Sequence, residues 1–190
     1  MGRAARFILY LSCLTLALTL TPARAVPSIF PEDAAFVTLG YNGTAAGAVV
    51  GEVGVELVLP VRYLDVSVGI GAYTPVTDPA ALGVRASGTA LVFPAFGTTP
   101  PLALGLGADA GYGPDGFSVH TGPLVGTDLL FSLRLPMTAS LYLAPGYRAG
   151  TGFSLAWGAG VRYYLEGDTV ALELVSSDLV PLGLGVRVLF

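Results

Sequence analysis

The sequence has no lysine, one histidine (His120), one tryptophan (Trp157) and one cysteine (Cys13). Each scarcity excludes something. Cys13 lies in an apolar run near the amino terminus, so the rest of the chain holds no disulfide framework, thiolate metal site or cysteine nucleophile. One imidazole, even with Asp109 and Asp128 in neighbouring segments, lacks the ligand clustering of a metal centre. Charged residues make up only 12% of the chain, and beyond residue 25 six arginines face 13 acidic residues, a formal charge of −7. That balance excludes a basic nucleic-acid-binding surface. Beyond residue 25 no unbroken apolar run is long enough for a membrane helix. Gly105-x-Gly107 and Gly183-x-Gly185 lead into no helical pattern, so they are not nucleotide loops, and no cofactor is expected.

What is present begins with a three-part leader. Arg3 and Arg6 precede the apolar run Phe7 to Leu20, Thr21-Pro22 breaks it, and Ala23-Arg24-Ala25 follows. This predicts a secretory signal peptide over residues 1–25, cut after Ala25. The rivals are an uncleaved membrane helix, for which the run is short, and a lipidated Cys13, for which Tyr10-Leu11-Ser12 is a poor preceding sequence. Residues 26–33, with Pro27 and Pro31, read as a periplasmic lead-in rather than a strand.

From residue 34 to the end, apolar residues recur at every second place, the period of a strand with two unlike faces. Ten candidate strands emerge: 34–43, 48–59, 63–74, 83–96, 102–113, 117–135, 138–149, 152–165, 168–176 and 181–190. Eight remain the alternative if the first and ninth are misread. Pro123 predicts a bulge or distortion in the sixth. Asn42-Gly43, Gly113-Pro114-Asp115-Gly116, Gly150-Thr151-Gly152 and Glu166-Gly167-Asp168 suit hairpins. No strand leads into a helical pattern, so parallel βαβ architecture is excluded. The expectation is an all-β, closed, antiparallel up-and-down transmembrane β-barrel over residues 34–190.

One face of nearly every strand is Leu/Val-rich. The other carries glycine together with the charges: Glu52, Glu56, Arg85, Asp109, His120, Asp128, Arg148, Arg162, Glu173 and Arg187. If the apolar faces point inward, the chain is a soluble exported barrel for an apolar ligand. If they point outward to lipid, the charges fill a lumen, where arginine escapes the roughly 2–4 kcal/mol cost of the lipid face at midplane. Glycine favours the second arrangement, because a narrow lumen must make room for arginine and tyrosine while a solvent face need not. Tyr41, Tyr112, Phe153, Tyr163 and Phe190, near strand ends on the apolar face, fit interfacial aromatic girdles.

The last strand alternates Leu182, Leu184, Val186, Val188 and Phe190 with Gly183, Gly185, Arg187 and Leu189. It resembles the C-terminal signal of bacterial outer-membrane β-barrel proteins. The resemblance implies insertion into the outer-membrane bilayer, recognition by the barrel assembly machinery and closure of the last strand on the first. It points to a non-enzymatic barrel, structural or narrowly porin-like. The luminal charges then form either a selectivity filter or an ion-pair network that plugs the lumen. A more distant alternative, an outer-membrane lipid hydrolase, would pair His120 with Ser118. A hairpin centred at Gly167-Asp168 predicts an Arg162–Glu173–Arg187 cluster, and a turn near Met137 predicts an Asp128–Arg148 contact. Both termini are expected on the periplasmic side, with Gly43, Asp78, Asp115, Thr151 and Asp178 at outer tips.

Overall fold

The computed structural model describes residues 29–30, 32–42, 48–62, 64–75, 78, 80–93, 102–113, 116–165, 169–178 and 181–190. The expected leader and the tips at Gly43, Asp115 and Gly167-Asp168 lie outside them. Ten strands run in order: β1 (Ala34–Asn42), β2 (Ala48–Val61), β3 (Leu64–Pro75), β4 (Gly83–Phe93), β5 (Leu102–Gly113), β6 (Gly116–Asp128), β7 (Met137–Arg148), β8 (Gly152–Tyr164), β9 (Val170–Ser177) and β10 (Leu182–Leu189). A single helical turn, α1 (Leu130–Leu133), sits between β6 and β7.

Each strand pairs antiparallel with its sequence neighbours, and β1 pairs with β10, so the sheet closes into a barrel. Closure leaves no edge strand to be capped. With ten strands, the start of β1, the end of β10 and the even-numbered connections fall at one rim, called here the terminal rim. The connections after β1, β3, β5, β7 and β9 form the opposite, tip rim. The sequence-derived faces hold along the described strands: burial alternates, with Leu104, Leu106, Leu172, Leu174, Leu184 and Ile70 exposed outside and Asp109, Glu173 and Arg187 buried inside.

Two details differ from the sequence reading. The sixth strand stops at Asp128 rather than 135. Asp128 pairs with Thr138, and the chain between them turns through α1 and Arg134, whose φ of 56° is left-handed. No bulge forms at Pro123. The β6–β7 register is the same on both sides of it, from Ser118↔Arg148 to Asp128↔Thr138, and the ladder merely lapses where Pro123 and Pro145 lack N–H donors. The irregularity falls instead in β4–β5, between Leu91 and Phe93.

Residues described ahead of β1 reach into the barrel. Ile29 is 1% exposed and packs with Ala103, Leu124, Tyr142 and Ala144 inside the lumen. A carboxylate oxygen of Asp33 accepts a 2.7 Å hydrogen bond from the backbone N–H of Val58.

Candidate functional site in the barrel lumen

Pairing alone places the first cluster. Arg162 on β8 lies directly across from Glu173 on β9, and Arg187 on β10 comes in from the far side. Arg162 Nε donates to Glu173 Oε1 at 2.9 Å, and Arg187 Nε approaches Glu173 Oε2 at 3.4 Å. Glu56 on β2 completes the ring: its Oε2 lies 2.8 Å from Arg187 Nη1 and 3.9 Å from Arg162 Nη2. Ser67 donates to the other oxygen of Glu56 at 2.9 Å and shares a 2.7 Å hydrogen bond with Thr89. The guanidinium of Arg187 also stacks 4.9 Å from the ring centroid of Phe36, a cation–π contact. Every member is buried, so each charge depends on its neighbours rather than on water.

Glu32, from the segment ahead of β1, joins this cluster. Its carboxylate lies 3.3 Å from Arg162 Nη1 and accepts a hydrogen bond from the Tyr164 hydroxyl.

A second cluster lies nearer the tip rim. Arg85 Nε is 3.5 Å from Asp109 Oδ2, and Arg85 Nη1 is 4.0 Å from Glu52 Oε1. Asp109 also accepts from the Tyr142 hydroxyl at 3.3 Å. His120 lies across the β5–β6 pair from Asp109, with Nδ1 3.7 Å from Oδ1, and its Nε2 shares a 2.8 Å hydrogen bond with Ser154. Asp109, His120, Gly146 and Ser154 occupy one register row across β5 to β8. Gly146 is what lets the imidazole cross: a Cβ there would overlap the Val119 carbonyl oxygen and the His120 ring. Gly107 likewise leaves room for the Tyr142 ring, and Gly71 for the carboxylate of Glu52. Between the clusters a cavity of about 10 Å³, lined by Phe36, Glu52, Glu56, Arg85 and Arg187, has room for about one water-sized group.

Of the residues singled out from sequence, Glu52, Glu56, Arg85, Asp109, His120, Arg162, Glu173 and Arg187 converge in the lumen. Asp128 and Arg148 do not meet. Asp128 sits at the terminal rim and accepts from the Leu130 N–H at 2.8 Å. Arg148 sits at the tip rim beside Ser118 and binds Asp178 at 3.0 Å. Ten residues of β6 separate the two levels, about 33 Å at strand rise. The error is one of register: the β6–β7 hairpin centres at residue 133, not 137. The histidine–serine pairing is corrected too, because His120 bonds Ser154 on β8 rather than Ser118 on its own strand.

Sequence reasoning missed Ile29, Glu32, Phe36 and Tyr164. Phe36 and Tyr164 stood on the luminal parity of β1 and β8, which was a usable signal. Ile29 and Glu32 stood in a segment without periodicity, so nothing marked them. Among the described residues no group of three or more histidine, cysteine or acidic side chains is placed to hold a metal ion. None of the described helices is long and apolar enough to cross a membrane, which says nothing about crossing by strands. No protein-family description matches this sequence. No curated protein matches it closely enough to count as a relative.

Proposed function

We propose that this chain is an outer-membrane β-barrel protein, exported by the leader over residues 1–25 and spanning the bilayer with ten strands. The single observation that carries the reading is the distribution of polarity. The arginine–carboxylate network is buried inside, while the outer wall is a belt dominated by exposed Leu, Val and Ile. Water on that outer wall would leave an apolar patch far larger than soluble monomers expose. Hydrocarbon suits it, and a closed barrel satisfies its backbone without water. Rings flank the belt at both levels. Tyr41, Tyr112, Phe117, Tyr147 and Phe153 lie toward the tip rim, with Phe93, Tyr163 and Phe190 toward the terminal rim, all exposed.

The filled lumen gives the barrel a structural role in the envelope, with passage at most narrow and porin-like. Cross-lumen ion pairs tie β8, β9, β10 and β2 together. The final strand is the element we assign to recognition by the assembly machinery. The alternative of a soluble exported carrier needs its apolar faces inward, opposite to the burial found. Membrane fractionation tests the proposal. The protein should stay with outer membranes, need detergent for extraction and migrate differently on gels before and after heating. Release into the soluble fraction on osmotic shock would refute it.

A second reading rests on Asp109, His120 and Ser154, the residue types of an acyl-transfer triad. Three facts favour a structural role instead. His120 is 1% exposed, and the 3.7 Å from Nδ1 to Asp109 is beyond hydrogen-bond range. Asp109 is engaged by Arg85 and Tyr142. A fluorophosphonate probe should therefore leave Ser154 unlabelled; His120-dependent labelling of Ser154 would reverse the assignment.

A further inference from the structure

We propose that the segment ahead of β1 is a displaceable plug, and that its withdrawal opens a narrow, weakly cation-preferring path along the lumen. This rests on the membrane-barrel reading above and goes beyond it. Anchors on different parts of the wall hold the described residues of this segment. Ile29 fills an apolar pocket on the β5–β7 side, walled by Ala103, Leu124 and Ala144. The pocket is cut to receive it: a Cβ on Gly126 would overlap the Ile29 side chain. Glu32 binds Arg162 and Tyr164 on β8. Asp33 takes the Val58 N–H on β2.

Charge shows why this occupant can leave when the others cannot. The barrel's own cluster at this level is already balanced, two arginines (Arg162, Arg187) against two glutamates (Glu56, Glu173). Glu32 is one carboxylate beyond that balance. Withdrawing it moves a charge from the lumen to water and costs Arg162 and Tyr164 one contact each, but Arg162 keeps Glu173 and Glu56 as counter-charges, whereas removing Glu173 would leave two arginines short of one. Geometry agrees. The ion-pair ring occupies the β8–β2 side; Ile29 fills the β5–β7 side, while Glu32 and Asp33 only touch β8 and β2, so withdrawal vacates the β5–β7 flank and leaves the Arg162, Glu173, Arg187 and Glu56 contacts in place. That flank continues past Tyr142 to the row of Asp109, His120 and Ser154. The strand-borne charges left inside are Glu52, Glu56, Asp109 and Glu173 against Arg85, Arg162 and Arg187, one negative charge in excess with His120 neutral. Small cations would pass in preference to anions.

Planar-bilayer recording in a potassium chloride gradient, on the purified full-length barrel, tests this. The wild type should be mostly closed. The double variant Ile29→Asp, Glu32→Ala should conduct severalfold more of the time, with a reversal potential shifted toward potassium. An inserted, heat-modifiable variant that conducts no more than wild type overturns the plug. Should that variant fail to insert, a reversible lock decides instead. Cysteines replacing Ile29 and Leu124, which share one buried cluster, supply the lock. The oxidised form should stay shut, and the reduced form, which has lost the Ile29 side chain, should open more of the time; equal conductance in both states refutes the proposal. Failure of the wild type to insert at all refutes the membrane reading, and the plug with it.

Discussion

Glu173 carries two arginines, one on each carboxylate oxygen, at a depth where water cannot replace it. Removing one partner of a buried pair costs about 3–5 kcal/mol, because the other charge is left uncompensated. Glu173→Ala should therefore lower stability by about that amount, while Asp65→Ala, at an exposed position, stays within about 0.5 kcal/mol. The urea midpoint of heat-modifiable migration measures both, and equal shifts would refute the ion-pair ring as a stabilising unit. Glycine supplies the complementary prediction. A methyl at Gly146 meets the Val119 carbonyl and the His120 ring, whereas one at Gly88 finds only an ordinary 3.6 Å contact with the Ser67 carbonyl oxygen. Gly146→Ala should cost about 1–3 kcal/mol, the usual range for overpacking, and displace the His120–Ser154 hydrogen bond. Gly88→Ala should be near neutral in the same urea assay.

Among the elements, the hairpins differ in how they are held. At the tip rim the β7–β8 and β9–β10 hairpins are joined by Arg148–Asp178, a partly exposed pair. Partly exposed pairs contribute about 0–1 kcal/mol, so Asp178→Ala should move the unfolding midpoint far less than Glu173→Ala. A comparable shift would show that the tip-rim contact is not a surface pair. β10 matters in a different way. It closes the barrel against β1, and the Phe190 N–H donates to the Asp33 carbonyl at 3.1 Å, beside the plug. The Phe190 ring itself is half exposed and contributes little to packing. Deleting Phe190 should thus reduce assembly yield in cells much more than it reduces the stability of barrels refolded in detergent. Equal effects in the two settings, or normal yield in cells, would remove the recognition role we assign to this end.

For the whole molecule, the even strand number places five connections at one rim and the start of β1 and end of β10 at the other. In an outer membrane the tip rim then faces outward. Cysteines at Asp115 and Thr151 should label with a membrane-impermeant reagent in intact cells, and a cysteine at Arg62, in the β2–β3 turn, only after lysis. The reverse pattern would invert the topology, and labelling of neither before lysis would place the whole barrel inside the cell envelope.

Strand number and face assignment were legible in the amino-acid order, because strand periodicity is local; the closing pair of β1 and β10 was expected only from the resemblance of the last strand. A residue's parity decides its face whatever the distant chain does. Leu184 and Arg187 could be assigned to opposite walls from spacing alone, and the short β8–β9 turn set Arg162 across from Glu173 by counting outward. The Asp128–Arg148 pairing was not legible, because a looser connection has no unique centre. There α1 and the left-handed Arg134 moved the centre by four residues, and each strand rise of about 3.3 Å carried that error along the barrel. The Glu56 link to Arg187 depended on barrel closure, which brings residues 131 positions apart to 2.8 Å. Least legible was the plug. Ile29 and Glu32 belong to no strand, so no period announced them. Only the closed wall, with one apolar flank and a buried arginine at the right depth, decided where that segment rests.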